Sequence, residues 1–141
     1  MLKDLDGMKL NFQGSILGFE ELNEFILEII SDTLFVNLKS TENEDISFVA
    51  TSPFDWYTEY SLTIDEPLKN KLNIEKPEDV LVLCIVTIRE TLETSTINLA
   101  APLIIHDKQK KGLQHVVQDA KYRANSLLIS NPEQEGEVGK C

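Results

Sequence analysis

The sequence predicts a mainly β, single-domain globular fold with one or two short helices, and three observations lead there. Branched and aromatic residues gather in short runs separated by polar turns, which is how strands joined by hairpins read. Apolar residues make up 42% of the 141 positions, enough Val, Ile, Leu and Phe to offset the entropy of ordering the chain. At this length one domain buries roughly two thirds of the surface its unfolded form would expose, so no second core is needed.

Met1 to Leu10 mixes charges with Gly7 and has no clear period, so it reads as a loose lead or a partial strand. Strands follow at Phe25–Ile30, Leu34–Lys39 and Ile46–Thr51, with Ser31-Asp32 and Ser40 to Asp45 as hairpin connections. In the second of these, Leu34, Val36 and Leu38 share one face and Asn37 and Lys39 the other, the alternation of a sheet with one face on the core. Ser52-Pro53 ends the third strand, because proline has no amide to donate and restricts the residue before it. Phe54, Trp56, Tyr57 and Tyr60 then form an aromatic cluster, read either as rings packed over a sheet corner or as an exposed contact patch. Asp65-Glu66-Pro67 opens a short helix, with Asp65 as cap and Leu68 and Leu72 on its buried face. Lys76 to Asp79 is a turn.

Val80 to Ile88 shows no polar alternation until Thr87, which predicts a central strand covered on both faces. Pro102 divides the next apolar stretch into two extended pieces, Ile97–Leu99 and Leu103–Ile105. His106 to Lys111 is a turn, Gly112–Val117 a strand, and Asp119–Leu128 a last short helix or irregular segment. From Ser130 the alternating Glu, Gly and Gln predict a disordered polar tail over 130–141, leaving 1–129 as the domain.

The net charge of −11 argues against a phosphate backbone as main partner, since such binding rests on Lys and Arg displacing counterions. It fits a solvated surface or a field that steers a basic protein. Cys84 lies within an apolar run and Cys141 ends the chain, so the two are poor disulfide partners. With no amino-terminal signal pattern, a reducing cytoplasm is expected. The longest apolar run falls far short of the roughly 20 residues that span a bilayer, so no membrane association is expected.

No Gly-rich phosphate loop, nucleophile elbow, zincin helix or cysteine cage occurs, and no cofactor or metal is expected. His106 and His115 bracket a turn with Asp107 nearby, which allows a two-histidine metal site or merely surface and edge histidines. Glu90 and Glu93, or Glu20, Glu21 and Glu24, would be the carboxylates of a small hydrolase, although pairs of this kind arise by chance in so acidic a chain. Lys108 to Lys111 is the one basic cluster, explained by a solvated turn better than by a nucleic-acid site. A direct RNA-binding barrel would use Trp56, Tyr57 and Tyr60 as stacking platforms, but lacks basic flanks.

Gly14-Ser-Ile-Leu-Gly-Phe-Glu20, Ser47-Phe-Val-Ala-Thr-Ser-Pro53 with Tyr60 soon after, and Asn98-Leu-Ala-Ala-Pro-Leu-Ile-Ile105 with Gly112-Leu-Gln114 follow one another in order and spacing. Over about residues 14 to 128 this pattern resembles the bacterial flagellar assembly factor family FliW. The chain departs from the family pattern at Leu17, where a proline is usual, at His106, where an asparagine is usual, and in the short segment before Gly18.

The resemblance implies a compact, antiparallel, β-barrel-like domain that is no enzyme and acts as a monomeric protein-binding factor in the cytoplasm. It implies two partners, flagellin and the translational regulator CsrA, a small RNA-binding dimer that represses flagellin messages. Export of flagellin frees the factor to capture the regulator, a competition governed by mass action. A small acidic, RNA-associated barrel without catalysis is the alternative. Carried over by motif, the partner-binding positions are Gly18, Phe19, Glu20, Pro53, Tyr60, Asn98, Ala101 and Pro102. Each also has a structural reading: Gly18 in a turn, Phe19 in the core, Pro102 at a strand break.

Overall fold

A computed structural model describes residues 2–129; the tail expected over 130–141 lies outside the described residues. In chain order the strands are β1 (Lys9–Asn11), β2 (Glu24–Ile29), β3 (Phe35–Ser40), β4 (Ser47–Thr51), β5 (Val80–Thr87), β6 (Thr96–Ile97), β7 (Leu103–His106), β8 (Lys111–Gln114) and β9 (Ser126–Leu127). One α-helix, α1 (Glu66–Leu72), joins them, with short 3-10 turns between. Pairing runs β5-β4-β3-β2-β1-β8-β7 and returns to β5, closing a seven-stranded barrel, while β6 and β9 extend the sheet beside β5. Every pairing is antiparallel except β1 with β8, which meet in parallel at Asn11 and Lys111.

β5 explains why its sequence does not alternate. Leu81, Leu83 and Ile85 face the barrel interior with Leu10, Phe12, Phe25, Leu27, Val36, Leu38 and Leu103. Cys84 and Val86 face outward into a second cluster with Tyr60, Ile97, Leu99 and Leu128. Val82 meets a third, formed with Leu68 and Leu72 of α1 and Ile104 of β7. Both faces of the strand are therefore covered from Val80 to Val86, and hydrophobic residues stand at each of those positions; only Thr87, at the exposed end, is polar.

The helix forms as its sequence suggests. The Asp65 side chain accepts the amide of Leu68 at 3.1 Å, Pro67 sits in the first turn, and Asn73 at φ 57° ends the helix in the left-handed region. Pro53 likewise ends the pairing of β4 by opening a 3-10 turn.

Two open readings close, for the leading segment and for residues 119–128, and two expectations change, for Leu34 and His106. The leading segment holds a 3-10 turn, Leu2–Leu5, and the short strand β1, whose Leu10 points into the barrel. Leu34 does not share the buried face of Val36 and Leu38; it precedes β3 in the hairpin turn and is exposed. Residues 119–128 form no helix among the described residues. Their backbone groups are drawn to neighbours instead: the Arg123 carbonyl accepts Leu99 N–H at 3.0 Å, and Leu128 N–H donates to Ser95 at 2.9 Å. His106 belongs to β7 and is buried rather than on a surface turn.

β8 shows why glycine stands at 112. A Cβ there would lie 2.7 Å from the Phe12 ring and 3.1 Å from the Ile104 carbonyl oxygen, so ring and wall would have to part. Gly112→Ala is expected to destabilise the barrel by about 1–3 kcal/mol, the usual cost of overpacking, measured by urea unfolding. An unchanged midpoint would show that Phe12 moves aside freely.

Candidate functional site

The Gly18 turn is local in origin. Phe19 N–H donates to the Ile16 carbonyl at 2.9 Å, and Gly18 inside that turn has φ +86°, a region open to glycine. A second turn follows as Leu22 N–H reaches the Phe19 carbonyl at 3.0 Å, leaving Glu20 exposed at its corner. The Phe19 ring is half-buried edge-on against Phe48, centroids 5.1 Å apart.

The Asn98–Pro102 corner lies between β6 and β7, which pair with successive parts of β5. Asn98 N–H donates to Ile85 at 2.9 Å, and its side-chain oxygen accepts both Ala100 N–H and Ala101 N–H at 3.1 Å. That double acceptor turns the chain so that Ala101 and Pro102 are buried. Tyr60 braces the corner from outside: its hydroxyl donates to the Leu99 carbonyl at 2.8 Å and its ring lies 4.5 Å from that of Tyr122. Pro53, also buried, starts the turn that leads into the Tyr60 segment.

Gln114 joins the two regions. Its side-chain oxygen accepts Leu17 N–H at 2.8 Å, its side-chain nitrogen donates to the Ala101 carbonyl at 3.1 Å, and its own N–H donates to the Ser15 hydroxyl at 3.0 Å. The candidate positions thus form one connected frame from Gly18 through Gln114 to Ala101, Asn98 and Tyr60. Only Gly18 and Glu20 are exposed; Phe19 and Asn98 are half-buried, and Pro53, Tyr60, Ala101 and Pro102 are buried. Sequence reasoning quoted Gln114 in the motif but missed its bridging role; no local pattern signals it, because its side-chain partners lie 97 and 13 positions away.

The aromatic cluster packs. Trp56 stacks on Phe35 with centroids 5.6 Å apart and donates its indole N–H to the Thr51 hydroxyl at 2.9 Å, and the Tyr57 hydroxyl donates to the Leu127 carbonyl. Phe54 stays 43% exposed, at the edge of an apolar cleft that Ile64, Ile74, Val80 and Val82 also line.

The histidines and carboxylates singled out in the sequence lie apart. His106 lies near the turn end of the β7–β8 hairpin, opposite Lys111, and His115 at the other end, hydrogen-bonded to Pro102. Among the described residues no three metal-ligating side chains converge. His106 Nε2 instead faces Asp79 Oδ2 at 3.9 Å, both side chains buried. The Glu75 N–H, then that of Lys76, and the nearby charges of His106 and Lys108 hold the Asp79 carboxyl below its ordinary range against burial. Glu90 and Glu93 are exposed. No helix of the described residues is long and apolar enough to cross a membrane.

Burial pushes the Cys84 thiol up to about 12 and, with Cys84 and Tyr122 beside it, raises the Tyr60 phenol as well, so both remain protonated at neutral pH. In a Cys141→Ser chain, Cys84 is expected to resist a disulfide reagent at pH 8 until denaturant opens the fold; fast native reaction would contradict its placement. Gln114→Ala is expected to cost about 1–3 kcal/mol, because the Leu17 amide and Ala101 carbonyl lose their partner, and to speed exchange of the Leu17 amide. Unchanged exchange there would remove the bridge.

The FliW protein family model matches residues 3–128. A flagellar assembly factor FliW of Clostridium novyi is 42% identical over 121 residues, 85% of each chain. One from Oceanobacillus iheyensis is 38% identical over 136 residues, 95% of this chain and 92% of that one, and one from Clostridioides difficile is 36% identical over 116 residues, 82% and 89%. A crystal structure of the flagellar assembly factor FliW superposes with a TM-score of 0.81 at 27% identity, covering 88% of this chain and 87% of the other. The chain belongs to the FliW family.

Proposed function

We propose that this protein is a non-catalytic flagellar assembly factor of the cytoplasm, which binds flagellin and a CsrA-type translational regulator and so relieves repression of flagellin translation. The observation that carries the reading is the family match over residues 3–128, which takes in the whole barrel and all eight carried-over positions. A net charge of −11 suits a factor that attracts a basic, RNA-binding regulator over about a Debye length and then holds it by short-range contact. On this reading Gly18, Phe19, Glu20 and Asn98 offer contact, while Pro53, Tyr60, Ala101 and Pro102 keep the contact surface in shape. The RNA-binding alternative is disfavoured because Tyr60 is buried against Tyr122 and one face of the Trp56 ring is taken by Phe35, which leaves no row of free ring faces for bases to stack on.

Titration calorimetry against each protein, in modest salt with reductant present, is expected to give micromolar or tighter binding, with regulator binding weakened once flagellin is bound. Glu20→Lys is expected to weaken at least one complex several-fold without changing the thermal midpoint. No binding to either protein would overturn the reading; full binding by Glu20→Lys would remove Glu20 from the contact set.

A further inference from the structure

Beyond Gln114 the chain stays extended along the corner: His115 N–H donates to Pro102 at 2.9 Å and Val117 N–H to Ala100 at 2.8 Å. Successive amides of extended backbone point to opposite sides, so Val116 and Gln118 turn theirs away from this pairing. One step earlier on that open side, Gln114 N–H is met by the Ser15 hydroxyl; Val116 and Gln118 meet no hydrogen-bond partner among the described residues. They border a groove of about 700 Å³ that Ser61, Leu62, Thr63 and Asp65 also line. The middle of that second stretch is unpaired too. Ser61 N–H goes to the Tyr122 hydroxyl, and Leu62 and Thr63 make no hydrogen bond among the described residues.

Two unpaired stretches of backbone facing one groove are a template for an added strand. The side chains indicate which. Asp65 and Asp119 line the groove, His115 is its one other ionisable group besides Tyr122, and no Lys or Arg lines it; Lys121 sits outside, 3.7 Å from Asp119. Val116, 48% exposed, and the half-buried Leu62 are apolar residues of the same lining. We propose that this groove docks an extended segment of a partner protein, alternating Lys or Arg with apolar residues, which adds as a strand to the Val116–Gln118 edge. The proposal rests on the reading of this chain as a protein-binding factor and names how one partner is held.

The probes are an alternating Lys-Val octapeptide, the same peptide N-methylated at alternate residues, and a Glu-Val octapeptide, each titrated into the full chain and followed by amide NMR. The Lys-Val peptide is expected to shift the Leu62, Thr63, Val116 and Gln118 amides and slow their exchange, with the other two peptides at least ten-fold weaker. Val116→Pro removes an amide the fold does not use and is expected to abolish the binding. Asp65→Asn with Asp119→Asn, which keeps an oxygen to cap α1, is expected to weaken it several-fold and flatten its salt dependence. Shifts elsewhere, no binding, or equal binding of the N-methylated peptide would overturn the proposal. Flagellin and the CsrA-type regulator are titrated against Val116→Pro in parallel. If both bind it as they bind the parent, the groove proposal falls and the flagellar reading stands. If neither binds the parent, the flagellar reading falls and the peptide results alone decide the groove.

Discussion

The burial of β5 on both faces is the constraint on which the rest of the molecule depends. Its pairing with β4, through Val49, Ala50 and Thr51, closes the barrel, and its other pairings carry β7 and then β6. Because interior and exterior clusters share this strand, neither core layer forms without it. Truncating a leucine such as Leu83, wholly buried here, belongs to the class of changes that cost about 2–5 kcal/mol. The outer layer is equally bound to it: α1 covers Val82, and the Tyr60 segment covers Cys84 and Val86.

Around that strand a small set of polar groups shapes the surface. Asn98 folds the corner between β6 and β7, Tyr60 holds its outer side, and Gln114 ties it to the turn that carries Gly18 and Glu20. These side chains fix the positions of a few exposed residues at small entropic cost, because their partners are backbone groups already held by the barrel. A binding protein needs such a frame, since a contact surface that must order itself on docking loses affinity to that ordering. Buried signature residues are thus compatible with a binding role, through the shape they impose.

The ionisable groups divide in the same manner. Asp79 and His106 clasp the segment before β5 to the end of β7, with Asp79 kept ionised by amides of its own turn. Cys84 and Tyr60 stay protonated inside the outer cluster. The many exposed carboxylates are left to set the field around the molecule, which acts on encounter rates and on solubility.

Local features were legible in the sequence. The unalternating run Val80–Thr87, the Asp65 cap with Leu68 and Leu72 four apart, the break at Pro102 and the hairpins β2–β3–β4 all follow from residues close in the chain. The motif positions came from the resemblance, and which of them reach solvent could not be read from it. Tertiary structure alone decided the parallel meeting of β1 with β8, the burial of His106 on Asp79, the outward turn of Leu34, the Gln114 bridge and the groove shared by residues 61–65 and 115–120. The physical reason is sequence separation: Gln114 reaches Leu17 across 97 positions and Tyr60 reaches Leu99 across 39. Periodicity and capping report on neighbours within a turn or a strand, whereas the partner of a distant polar group is chosen only when the barrel closes.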